Sequence, residues 1–531
     1  MKRSLRGQRR DGRALDNVAP LPGVPLLDHL EALLPADGRG PLAQGGEPLP
    51  DEPPPDPNEM RFTAGSLDGV SAVRGGTGAS QEQEPLVAAA ATLDVLRSQP
   101  TSSAVHLVAK RLAMLEGPTA FDRLLSAINA ARGVDRQRLA TLARWLCTHG
   151  VDRQQVKAGL ALLGVSGTPE DRQLITKLGL LEELTLYALV ALSNLLPDSE
   201  AAIFDLAQQV HGWGRIHAVR RLAGTTDPAI RRWLLRGGFA NGVMDEEIAF
   251  VVATTGGLRE ALEGDVDDEL LDWSGRLLVA LAMGGPAEDM SDYPDADAAL
   301  SAYLSHMSTA TASLQRLHHL VTLERYVTRW ASDNPHIADE RRVHFASELK
   351  EILRRPEWAP LVARGLASDQ LRDVKDVIIL AERFGFDPSP VIRAWLPREP
   401  HEGYLWQSIL DRVDRAQMRE LVALAEVILP FSDLSTRPAK DLGLGPSYRA
   451  EGCLDLILQH LRSFPGEGWA AIATGLNCRV TRTRNMAVRA LAEWPRETWP
   501  DDAHNSLAAL LFREPDDGVR QRVRDLIESD C

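Results

Sequence analysis

The sequence predicts an all-α protein, an irregular α-solenoid of stacked helical hairpins. Three observations carry that reading. From residue 86 onward, apolar residues recur at i, i+3, i+4 and i+7, the spacing of one helix face. Glycine stops and proline starts punctuate the chain at short-helix intervals. No segment alternates apolar and polar residues as a half-buried strand would. At 531 residues the chain is too long for one bundle. Hairpins that each cover the next solve the burial problem for many short helices.

Residues 1–85 read as a Pro/Gly-rich irregular extension with one short helix. The first 58 residues hold 11 of the 33 prolines, including the run PPP at 53–55. Within them LLDHLEALL is amphipathic and reads as a docking helix. MRFTAGSLDGV (60–70) and RGGTGAS (74–80) read as loops, and neither is a phosphate-binding loop because no GK[ST] follows. Residues 86–335 then read as one helical-repeat region and 336–531 as a second. AVHLVAKRLAML, AFDRLLSAINAA and RLATLARWLCTHG are the first helices. Gly133, Gly150, Gly164 and Gly179 read as stops. Thr168-Pro169, Asp227-Pro228 and Asp387-Pro388 read as starts, a cap residue before proline at the first helical position.

HGWGRIHAVRRL (211–222) concentrates the side chains that could do chemistry. The pattern places a corner at His211–Gly214, a helix from Arg215 to Ala223, a stop at Gly224, and a new helix from Asp227-Pro228 to a left-handed cap at Gly237-Gly238. His211 and His217 are six apart, not the three or four a helical metal pair needs. They read as a corner and a helix-surface histidine, and Trp213 as the plug of the repeat junction. Arg215, Arg220, Arg221, Arg231, Arg232 and Arg236 face one acid, Asp227. With Trp213 they are the candidate site for an anion or a partner, since guanidinium grips carboxylate or phosphate with two parallel hydrogen bonds. Arg479, Arg482, Arg484 and Arg489 form a second cluster. Twelve Asp and Glu against Arg276 alone follow at 260–297, an acidic stretch able to neutralise the first arginine face from within. EDMSDYPDADAAL inside it lacks the glycine of an EF-hand loop and reads as an acidic connection.

The net charge of −15 disfavours nucleic acid and anionic membrane as general partners. No run reaches the ~18 apolar residues of a membrane span. The basic N-terminus lacks the apolar run of a secretory signal. Cys147, Cys453, Cys478 and Cys531 form no CxxC pair, as befits a reducing cytoplasm rather than a zinc site. No histidine has Glu three residues before it, so di-iron ExxH pairs are absent. No catalytic residue, metal ligand or cofactor is assigned from these patterns.

Near the C-terminus NMAVRALAEW and EPDDGVRQRVRDLI share a polar turn, Val-Arg, and apolar residues at helical spacing. They resemble the second helix of HEAT repeats, an Asp-rich turn followed by VRxxA. In the last unit Asp516 or Asp517 caps the helix, Val519, Val523 and Leu526 form its stripe, and Arg522 stands where the repeat usually has a small residue. LITKLGLLEELTLYALVALSNL, GWGRIHAVRRL with AIRRWLLRGGFANGVM, and RTRNMAVRALAEWP resemble blocks of a bacterial family of large helical proteins, across most of 165–530. Some members of that family are labelled limonene hydroxylase. That resemblance implies an oxidoreductase acting on a monoterpene. The residues themselves favour a cytoplasmic scaffold that binds an acidic or phosphorylated protein partner on a solenoid face. A third reading is a nucleic-acid protein, because HEAT-like DNA glycosylases line a groove with Arg, Trp and Asp, as Arg215–Arg236 with Trp213 and Trp233 could.

Overall fold

The computed structural model describes residues 15, 17–53, 61–74, 83–97 and 100–528. RGGTGAS from 75 onward, most of PPP and Cys531 lie outside them. The described chain is all-helical, with one isolated bridge between Asp441 and Val480 and no strand. No helix among the described residues is long and apolar enough to cross a membrane. The chain divides into two compact units. The first gathers the described residues of Met1–Pro53 with Phe62–Thr311 and His318–Leu353. The second gathers those of Pro54–Arg61 and Arg354–Cys531 with Ala312–Leu317.

In the first unit the helices Arg153–Ser166, Glu182–Leu195, Gly212–Arg221, Glu246–Gly256 and Asp268–Met283 pack one on the next in chain order. Shorter helices, Glu200–Gln208 and Pro228–Trp233, return the chain between them, and Arg136–His149 packs on Arg153–Ser166 ahead of the succession. This is the stacked-hairpin arrangement that the helical periodicity predicts. Asparate caps set the starts, where orphan backbone N–H groups need acceptors. Asp135, Asp152, Asp227 and Asp267 each accept from a backbone N–H of the first turn. Gly164 does not stop its helix, which runs on to Ser166. Its missing Cβ instead lets the backbone approach Ala191 of the next helix, where a Cβ would stand 3.1 Å from the Ala191 Cα.

The second unit repeats the scheme. Leu371–Ala381, Gly403–Leu410, Arg449–Leu461, Thr481–Glu493 and Asp517–Glu528 form one succession, with Trp358–Leu366, Arg415–Ile428, Trp469–Leu476 and Ala503–Arg513 alternating between them. In the last helix Val519, Val523 and Leu526 are buried as the repeat pattern predicts, and Asp516 Oδ1 accepts from Val519 N at 2.9 Å.

The N-terminal segment differs most from expectation. Its predicted helix is present as Leu26–Leu33, with Leu26 and Leu30 fully buried. The stretch 60–70 is not simply loop, because Ser66–Arg74 forms a second helix. Leu42 and Leu49 are also buried. Each such side chain contributes about 1.5–3 kcal/mol by leaving water, which opposes release of the segment from the first unit.

Candidate functional site: a charged helix edge and two arginine clusters

Three helices of the first unit begin side by side. Arg153, Glu182 and Gly212 open Arg153–Ser166, Glu182–Leu195 and Gly212–Arg221. Their first turns are linked, because Glu183 lies 3.9 Å from Arg153 and Glu182 Oε1 accepts from His211 N at 3.1 Å. The N-terminal segment lies across this edge. Asp51 takes Arg153 in a two-pronged pair at 2.9 and 3.2 Å, and also accepts from the Arg153 backbone N–H. Glu52 accepts from the same guanidinium at 3.0 Å. Asp68, on the second segment helix, reaches Lys157 Nζ at 2.7 Å, and Glu183 meets that ammonium from the other side at 2.5 Å. Tyr187 donates to Asp68 at 3.1 Å. Glu31 pairs with Lys177. Glycines bring the segment close. Gly65 N donates to Glu183 at 2.7 Å, and a Cβ at Gly69 would collide with the Trp213 ring.

Along this edge the acids of the N-terminal region meet the cationic start of Arg153–Ser166 beside the acidic start of Glu182–Leu195. Burial opposes charge on Arg153, but its hydrogen bonds and Coulomb pairing with Asp51 override that and hold its pKa above the usual range. Burial, then Glu52 and Glu183, push the Glu47 carboxyl up to about 7, with Arg153 pulling the other way. Burial raises Glu182 as well. Glu47, Asp51, Glu52, Asp68, Glu182 and Glu183 thus crowd around Arg153 and Lys157.

The arginines nominated from sequence are mostly tied into the fold. Trp213 is buried, but it sits in the first turn of its helix rather than in a corner, since the helix starts at Gly212. Arg215 is buried and donates to Val210 O and Gly238 O, with its guanidinium over Trp233. Burial lowers its pKa to about 10. Arg220 pairs with the buried Glu247 at 3.1 Å, and Arg221 donates to His217 O. His217 is buried, not on the surface, and burial with Arg221 and Arg220 nearby pushes its pKa down to about 3. It therefore stays neutral at ordinary pH.

Arg231, Arg232 and Arg236 line an open groove of 780 Å³. Arg231 donates to Thr255 O, and Arg236 is forked by Asp267 with Glu269 at 2.6 Å. Arg232 alone of the three is exposed with no hydrogen-bond or ion-pair partner among the described residues. Glu260, Asp265, Asp267 and Glu269 line the same groove, so its own acids outnumber its cations. The acidic stretch at 260–297 supplies them, the internal neutralisation that the sequence suggests.

The second cluster divides differently. Arg484 is fully buried and bidentate to Glu514 at 2.6 Å on both prongs, and it donates to Ala439 O, Cys478 O and Arg479 O. Arg479 pairs with Glu451 and lies over Tyr448. Arg482 and Arg489 are exposed on a groove of 390 Å³. The edge made by Arg153 and Lys157 escaped the sequence reading, because isolated cations on separate helices leave no local signal. No group of three or more metal-ligating side chains occurs among the described residues. No family model and no curated protein matches the chain.

Proposed function

We propose that the protein is an interaction scaffold whose first unit takes an extended acidic segment of a protein partner along the Arg153–Glu182–Gly212 edge. One observation carries this reading. Arg153 and Lys157, on consecutive turns of one helix, already grip acids of the chain's own N-terminal region, Asp51 and Glu52 beside the turn at 50–51 and Asp68 on the helix Ser66–Arg74. The segment is the chemistry of the partner written in cis, an acidic chain with glycines where the backbone must come close. A partner segment of the same character binds by taking its place. Charge crowding among Glu47, Glu52, Glu182 and Glu183 offsets part of the resident's seat.

A fluorescent peptide with the sequence of residues 41–70 tests the reading. Asp51→Lys/Glu52→Lys in the full chain removes the resident's grip on Arg153. This variant binds the peptide about tenfold more tightly than the unmodified chain, and a scrambled peptide does not compete. Equal or absent peptide binding in both proteins contradicts the reading.

A further inference from the structure

We propose that the groove between the helices Thr481–Glu493 and Asp517–Glu528 is a binding site for a phosphate monoester, a tetrahedral oxyanion carrying close to two negative charges. The site lies in the second unit and stands independently of the reading above.

Its lining is Asp441, Leu442, Thr481, Arg482, Asn485, Met486, Arg489 and Arg522. Arg482, Asn485 and Arg489 are spaced three and four apart, so one helix face presents all three. Arg522 comes from the next helix and donates to Asn485 Oδ1 at 2.5 Å. That bond leaves the Asn485 amide N–H₂ and most of the Arg522 fork for a ligand. Arg489 has no hydrogen-bond or ion-pair partner among the described residues. Arg482 gives its Nε to the buried Asp455 at 2.6 Å, which fixes its direction and leaves its two terminal nitrogens. Asp441, the one acid of the lining, is engaged by Tyr448 OH at 3.0 Å and lies 3.8 Å from Arg479. Two guanidiniums without carboxylate partners and an amide converge on a space large enough for a phosphoryl group, beside Thr481, whose hydroxyl donates to Ala439 O at 3.5 Å. This set suits a dianion better than a carboxylate, which offers one charge and two oxygens.

The frame behind the groove is rigid. Arg484, pointing the other way from the same helix, is locked by Glu514, whose carboxylate also accepts from Asp516 N ahead of the last helix. The helix that carries Arg489 is therefore tied by a fully buried pair to the turn from which the helix of Arg522 starts. Arg522 is also the residue that departs from the small-residue position of the repeat pattern, and the departure places a cation in the groove.

The test measures binding of a phosphoserine peptide, its unphosphorylated twin, inorganic phosphate and a short DNA duplex to the full chain at low salt. The phosphopeptide binds saturably, and phosphate competes. Arg489→Glu and Arg522→Glu each weaken binding about tenfold, while Arg232→Glu in the first unit leaves it unchanged. Both groove arginines are exposed, and circular dichroism confirms that the variants keep their helices. Phosphate binding with no preference for the phosphopeptide assigns the site to a free oxyanion instead of a modified protein, and it still supports the chemistry. Absence of saturable binding to either probe, equal binding in the groove variants, or binding only to a short DNA duplex overturns the proposal.

Discussion

Lys157 Nζ lies 2.7 Å from Asp68 Oδ2, a pair that joins residues 89 positions apart and almost wholly out of water. The lysine is shared with Glu183 and lies 5.5 Å from the Tyr187 ring centroid. It ties the helix Ser66–Arg74 to the helix stack.

Lys157→Met therefore leaves two carboxylates facing each other with no cation between them. Breaking a buried pair from one side costs about 3–5 kcal/mol. The expected result is a fall of that order in the unfolding free energy of the first unit, read from urea denaturation. Asp68→Asn costs less, because Glu183 still answers the ammonium. Equal and small losses for both would mean that the pair is solvated in solution.

The pH dependence of the segment follows from Glu47. Seated, its carboxyl titrates at about 7 against an ordinary 4.5. The seated form thus holds more proton between those values, and stability falls as pH rises there. The groups that face Glu47 are Glu52 on its own segment and Glu182, Glu183 and Arg153 on the helix edge. His29, which hydrogen-bonds Gly46 O, and His211, next to Glu182, stand close by. Limited proteolysis within 41–53 is expected to be faster at pH 8 than at pH 6, and Glu47→Gln is expected to remove most of the difference.

Arg484→Met strands the fully buried Glu514 and frees Ala439 O and Cys478 O. A loss of about 3–5 kcal/mol is expected in the second unit, with early amide exchange across Asp517–Glu528. Arg484→Lys recovers little, since an ammonium cannot make the two-pronged bond.

The helices were legible because burial on one face writes a 3.6-residue period into the sequence. The start at Asp227-Pro228 was legible because a cap is local chemistry, and Asp227 does accept from Ala229 N and Ile230 N. What was not legible is long-range. Gly164 looks like a stop, yet its role is contact with Ala191, 27 residues on. His217 looks exposed among arginines, yet Trp213 and the packing around it bury the ring. The six nominated arginines are the plainest lesson. Local composition located them, but partners 24–33 residues away, such as Thr255, Glu247, Asp267 and Glu269, decide that Arg231, Arg220 and Arg236 are structural ties. Conversely, Arg153 and Lys157 stand in an unremarkable helix, and only the fold brings Asp51 and Asp68 to them.

Hydrogen exchange of the intact chain tests most directly whether the segment is an exchangeable occupant of the helix edge. Amides of 41–53 and 61–74 are expected to exchange through an opening that leaves the helices Arg136–His149 and Glu182–Leu195 protected. Asp51→Lys/Glu52→Lys is expected to speed that opening about tenfold with the helices unchanged. If segment and helices exchange together, in both the unmodified chain and the variant, the segment is an inseparable part of the first unit and the account is wrong.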